Sequence, residues 1–218
     1  MVSVAPGSAV AATAFDPAGA AGAGTAVKAT RARRSDSQRN YELLLSTAAA
    51  VFAEHGTEVS MDLLAKTAGV GIGTLYRHFP NRQRLVEATY RHELEQLCAY
   101  GDDLLSQVPP DEALLLWMRR FIGYAATKKG MADALKALAA ADPQQMADNR
   151  ALVRAAMDKL IGAAQATASI GADVTSDDLM TGLSGLCMVS SASGWQDRAG
   201  RMVELLMAGM RAQRPAQD

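Results

Sequence analysis

From about Ser37 to the C-terminus, apolar residues return every three or four positions, and no stretch alternates β-branched with polar residues between turn signals. That period matches one face of an α-helix and excludes the two-residue repeat of a half-buried strand. The expected fold class is all-α. Leu44, Ala48, Val51 and Leu45, Ala49, Phe52 follow one another at i, i+4, i+7, and Gly56 offers a stop after His55. Ser60 reads as an N-cap for Met61, Leu64, Ala65 and Ala68, with Gly69 and Val70 as the break. Ile72, Leu75, Tyr76 and Phe79 repeat the spacing; Pro80 ends that helix and Asn81 caps a long one reaching about Tyr100. Further helices are expected at about 111–128, 131–140, 144–169, 176–192 and 197–212.

Composition agrees: 49% of the 218 residues are hydrophobic and only 5% aromatic, which suits an Ala- and Leu-rich helical core. Residues 1–27 lack apolar periodicity and are rich in Ala, Gly and Pro, so chain entropy favours disorder there. The basic stretch Lys28 to Arg39 follows, either a solvated linker or an arm that lies along a polyanion. Charge is unevenly shared. The formal net charge is −1, yet Lys28 to Arg84 holds nine Lys/Arg against five acids, while residues 85–218 hold 13 basic and 17 acidic. A basic segment joined to an acidic remainder is expected when one part meets phosphate and the other does not. Cys98 and Cys187 are far apart and, with no secretory signal, read as reduced thiols of a cytoplasmic protein. No run of about 18 apolar residues occurs, so no membrane partner is expected.

The most informative stretch is Ser60 to Arg84, SMDLLAKTAGVGIGTLYRHFPNRQR. Advancing about 100° per residue puts Ile72, Leu75, Tyr76 and Phe79 on one side, and Gly73, Thr74, Arg77 and His78 on the other. A short helix with an apolar inner face and a small, hydrogen-bonding outer face suits the major groove of double-stranded DNA. Gly71 and Gly73 each cost roughly 1 kcal/mol of helix propensity relative to Ala, but allow close approach to a surface. Ser60 and Lys66 on the preceding helix, and Asn81 and Arg82 opening the next, are candidate phosphate donors; Tyr76 can pack its ring and offer its hydroxyl. Periodicity alone leaves other helical corners open, because this spacing occurs in many proteins that touch no nucleic acid.

The segments GVGIGTLYRHFPNRQRL and LLLSTAAAVFAEHG resemble the helix-turn-helix of the TetR/AcrR family of bacterial repressors, over about Arg39 to Leu85. The resemblance implies that Thr74, Tyr76, Arg77 and His78 line the DNA face, with Ser60 and Arg82 on the backbone. This chain departs at Gly71, where a Ser usually caps the helix, at Ile72, often a Lys, and at Arg82, where Lys is commoner. The expected organisation is a disordered arm (1–36, basic from 28), a three-helix helix-turn-helix domain (37–80) and a helical effector-binding and dimerisation domain (81–218). Arg39, Lys66, Gly71 and Gly73 complete the expected DNA-binding set.

Residues 85–218 carry no motif of similar specificity. The resemblance implies that they form a pocket for a small-molecule effector and a homodimer interface. Nine of the eleven Met lie beyond residue 100. Cys98, Trp117, Met118, Phe121, Met157, Met188 and Trp195 are candidate pocket residues, though such side chains equally fill a core. The last two helices are apolar over more than one face, so Leu179, Leu183, Leu186, Met202, Leu206 and Met210 are candidates for the dimer interface. A buried single-chain bundle is the other reading. Dimerisation would suit a palindromic operator with half-sites ~34–36 Å apart.

Enzyme signatures are missing. His92-Glu93-Leu94-Glu95-Gln96 begins like a zincin helix, but Gln96 stands where zinc needs a second His. No Walker-type loop or G-x-S-x-G elbow occurs, and Asp102-Asp103 and Asp177-Asp178 suit solvated charges near helix ends. No metal or cofactor is expected. The expected function is a sequence-specific, ligand-responsive repressor; the competing reading is a small-molecule sensor that keeps this fold without DNA contact.

Overall fold

The structure is a computed structural model that describes residues 19–188 and 194–212, with side chains from 36 to 188 and 194 to 211. Every regular element among the described residues is a helix: α1 Gly19–His55, α2 Met61–Thr67, α3 Ile72–His78, α4 Arg82–Leu105, α5 Pro110–Gly130, α6 Ala132–Ala141, α7 Pro143–Ala166, α8 Ser176–Met188 and α9 Trp195–Ala212. None is long and apolar enough to cross a membrane.

One expectation about organisation is corrected. Residues 19–36, expected to be disordered, are helical as the leading part of α1. Once the turn near Leu44 is anchored, adding residues upstream needs only propagation, and this stretch holds six Ala and three Arg and no Pro. Residues 1–18 lie outside the described residues. The chain forms two compact units, 1–41 and 42–218, so the helix-turn-helix region from Glu42 onward and the C-terminal helices share one unit. Two contacts explain this: the Arg82 guanidinium at the head of α4 donates to the Thr57 carbonyl, and Gly130 at the end of α5 packs on the Phe52 backbone.

Within the second unit, α4 lies against α5 and α7. Leu85, Val86, Leu94, Leu97 and Leu104 form its buried stripe, and the Trp117 indole of α5 reaches back to it, Nε1 donating to the Leu97 carbonyl at 2.9 Å. Ion pairs stitch the bundle across elements: Glu93–Arg120 at 3.1 Å (α4–α5), Asp102–Lys159 at 2.7 Å (α4–α7), Asp111–Arg211 at 2.6 Å and Arg119–Glu204 (both α5–α9). Glu93–Arg120 is the most shielded of these four, where solvent screening is least. Gln165 reaches the carbonyls of Gly171, Ala172 and Val174 and holds the turn between α7 and α8.

Candidate functional site

The α2–α3 corner is built by local chemistry. Ser60 caps α2, its Oγ accepting from the Leu63 N–H at 3.1 Å. Gly69 then takes φ +68°, a left-handed turn that most side chains resist, while the Val70 N–H closes on the Ala65 carbonyl at 3.0 Å. Gly71 starts α3 without a side-chain cap. Asn81 caps α4 through its Oδ1, which accepts from the Arg84 N–H at 2.9 Å. Replacing Ser60 by Ala is expected to remove about 1 kcal/mol. A thermal melt should record this as a fall of roughly 2–4 °C.

The orientation of α3 differs from the helical-wheel expectation. Leu75 and Phe79 are buried, but Ile72 and Tyr76, expected inside, are exposed. Seven residues make only two turns, so one i, i+4 pair suffices to anchor the helix and its first residue stays outside. Gly73 and Arg77 face solvent, whereas Thr74 and His78, expected on the open face, are half-buried at its edge. His78 stacks obliquely near Phe79, ring centroids 6.2 Å apart. The open face is therefore Ile72, Gly73, Tyr76 and Arg77, flanked by Thr74 and His78. A Cβ at Gly73 would meet no atom within 4 Å, and one at Gly71 only the Thr74 hydroxyl at 4.0 Å, so both glycines look onto open space. Arg77 Nε lies 3.4 Å from the Gly73 carbonyl, which draws its side chain back along the helix.

Among the candidate phosphate donors, Lys66 and Ser60 are exposed on α2, and the Ser60 hydroxyl proton remains available because capping uses only its oxygen. Arg39 is exposed in the first unit. Arg82 is half-buried and donates to the Thr57 carbonyl, a contact that ties the head of α4 to the helix-turn-helix region.

A second feature lies between α5, α7 and α8, where a cleft of about 470 Å³ opens. Phe121, Tyr124, Val153 and Met180 give it an apolar lining, and Lys128, Arg150 and Arg154 bring cationic heads. Phe121 is the one expected pocket residue that lines it. Trp117, Met118 and Met157 are fully buried core, Cys98 is half-buried on α4, and Trp195 is half-buried with the Lys129 ammonium 5.8 Å from its ring centre. Met188 is 83% exposed and is not among the residues that line this cleft. Tyr124, Lys128, Arg150 and Arg154 were missed; the i, i+3, i+7 relation of Phe121, Tyr124 and Lys128 and the i, i+4 pair on α7 were the available signals. Burial pushes the Lys128 ammonium below its ordinary range, with Arg150 adding to the effect. Burial likewise raises the Tyr124 phenol, whose hydroxyl lies 3.4 Å from that of Tyr90 on α4. Burial pushes both thiols, Cys98 and Cys187, up.

The expected dimer set also divides. Leu179, Leu183 and Met210 are covered inside the chain and are corrected to core. Leu186 and Leu206 are half-buried, and Met202 is exposed. Leu205 on α9, outside that set, is 64% exposed.

Residues 44–89 match the family described as bacterial regulatory proteins, tetR family, and residues 109–212 match that described as transcriptional regulator SbtR-like, C-terminal domain. The TetR transcriptional regulator SCO0520 from Streptomyces coelicolor is similar in structure, with a TM-score of 0.73 and 41% identity over 81% of this chain and 99% of that one. The TetR transcription regulatory protein from Mycobacterium vanbaalenii is 32% identical, with a TM-score of 0.65 over 82% of this chain and 98% of its own. An HTH-type transcriptional regulator of Staphylococcus aureus strain MRSA252 is 35% identical over 83 residues, 37% of this chain, and the chain spans 43% of that relative's length. These relatives are regulators of transcription and not enzymes. With both portions matched, and two solved relatives above 30% identity aligned over nearly their whole length, the chain belongs to the TetR family of transcriptional regulators.

Proposed function

We propose that this regulator is a cytoplasmic, ligand-responsive homodimeric repressor that lays α3 in the major groove of a palindromic operator. The observation that carries this reading is the open face of α3: Gly73, Tyr76 and Arg77 turned outward on a helix anchored by buried Leu75 and Phe79. Arg77 has the reach and the donors to read a base edge, while Lys66 and the Ser60 hydroxyl flank it as phosphate contacts. Thr74 and His78 border the face and complete it when DNA is present. A second copy would cover Met202 and Leu205 on α9 together with Met188 at the end of α8, all exposed in the single chain. An effector that binds a conformation with mismatched half-site spacing more tightly than the DNA-bound one would release the operator.

The test is fluorescence anisotropy with duplexes from the promoter region beside its own gene, at several salt concentrations. Arg77→Ala is expected to lose about 1–3 kcal/mol of discrimination between operator and scrambled duplex. Lys66→Ala should weaken all duplexes alike and flatten the log–log salt slope by about one unit. Wild-type protein that binds no duplex at low salt would favour a sensor without DNA contact, and unchanged slopes for Lys66→Ala would remove it from the interface.

A further inference from the structure

The cleft between α5, α7 and α8 combines two features that the core does not need. Its floor is apolar: Phe121 and Tyr124 are nearly fully buried, with ring centroids 5.7 Å apart. Its rim is cationic without a matching acid, since none of its described lining residues is Asp or Glu. Arg154 is already engaged, paired with Asp177 at 2.5 Å and within 3.4 Å of the Ser176 hydroxyl. Lys128 and Arg150 make no ion pair among the described residues, and Lys128 is half-buried. Each therefore faces a like charge, and Lys128 has lost hydration with no counter-ion in return, an arrangement that costs folding free energy. An anion placed between the two heads would relieve the repulsion and gain charge-assisted hydrogen bonds. The cleft, at about 470 Å³, is within the range of small-molecule sites.

We infer that this cleft binds an organic anion, a carboxylate or similar singly charged head on an apolar body, with the head between Lys128 and Arg150 and the body on Phe121 and Tyr124. The inference deepens the ligand-responsive reading and rests on it only for the regulatory consequence. The site is wired toward the DNA end of the molecule: Tyr124 meets Tyr90, and neighbouring Arg120 pairs with Glu93, both partners on α4. That helix begins at Arg82 beside the helix-turn-helix.

Isothermal calorimetry on the full chain tests it with 2-naphthoate and 4-phenylbutyrate, their neutral amides, and inorganic phosphate. At least one carboxylate should bind at least tenfold more tightly than its amide and than phosphate. Arg150→Gln, an exposed substitution that leaves the core alone, should weaken that carboxylate roughly tenfold and leave the amide unchanged. Lys128→Met should do the same, with circular dichroism confirming that the variant is folded. The inference is overturned if neither carboxylate binds, if amide or phosphate binds equally well, or if Arg150→Gln keeps wild-type affinity. Anisotropy with promoter duplexes on the same preparation separates the two readings. Duplex binding without carboxylate binding sinks this inference alone; carboxylate binding without duplex binding sinks the repressor reading alone.

Discussion

Gly130→Ala is expected to destabilise the protein by roughly 3 kcal/mol, the upper end of what overpacking usually costs. In a helix this exchange ordinarily helps, by up to about 1 kcal/mol, because Ala loses less backbone freedom than Gly. Here the sign reverses. A Cβ on Gly130 would overlap the Phe52 carbonyl oxygen and lie 2.5 Å from its carbon and 3.0 Å from the Ala53 Cα. These are backbone atoms, and they cannot rotate aside. The same Phe52 oxygen accepts the Gly56 N–H at 3.0 Å, the bond that closes the last turn of α1. Making room for one methyl group therefore pushes α5 away from α1 or breaks that turn. Gly162→Ala is the matched control: Gly162 is exposed in α7, and a Cβ there meets nothing within 4 Å. It should be neutral or stabilising. Thermal melts should separate the two variants clearly, with Gly130→Ala lower than wild type by roughly 6–12 °C. A Gly130→Ala protein that melts with its parent would mean that α1 and α5 do not meet as described. Because Phe52 belongs to the helix-turn-helix region, the same variant should also lose operator affinity.

The contrast between Gly130 and Gly162 shows what a sequence can carry. Helices with their caps are written locally: Ser60, Asn81 and the i, i+3, i+4 repeats each speak for a few residues, and they place α2 to α7, α9 and the start of α8 within about five positions, the expected end of α8 at 189–192 lying outside the described residues. The helix-turn-helix was legible for the same reason, since Gly69 and the TLYRHF core lie within one short stretch. What failed needed information from elsewhere in the chain. The wheel could not say which flank of α3 turns inward, because two turns offer too little apolar stripe to choose between Ile72 and Leu75. The bond from Arg82 to the Thr57 carbonyl was not foreseen, because nothing near Arg82 in sequence points to a residue 25 positions earlier. The cleft was missed similarly: Lys128 and Arg150 stand 22 residues apart, and each alone reads as an ordinary surface charge. Residues 19–36 misled in the other direction, since Gly and Pro near the N-terminus outweighed the Ala and Arg that follow.

Trp117→Ala should cost about 3–5 kcal/mol, as expected for removing a large buried aromatic side chain. The corresponding drop in melting temperature is roughly 6–20 °C. The indole is completely inaccessible, its N–H is satisfied by the Leu97 carbonyl, and its ring sits 5.8 Å from that of Phe121. A Cβ on Gly101 would come within 3.2 Å of the indole Cδ1, so α4 is set at a distance that only this pairing of glycine and indole fills. Trp117→Phe keeps most of the volume and should cost about 1–2 kcal/mol, including the lost hydrogen bond. This pair also decides between core and pocket wall. A core Trp117 predicts that Trp117→Phe lowers stability while carboxylate affinity stays within about twofold of wild type, since the cleft begins one turn further along α5 at Phe121. If Trp117→Phe instead kept full stability and lost carboxylate binding, the indole would belong to the ligand site, and the cleft would have to extend through what is now the packed seam between α4 and α5.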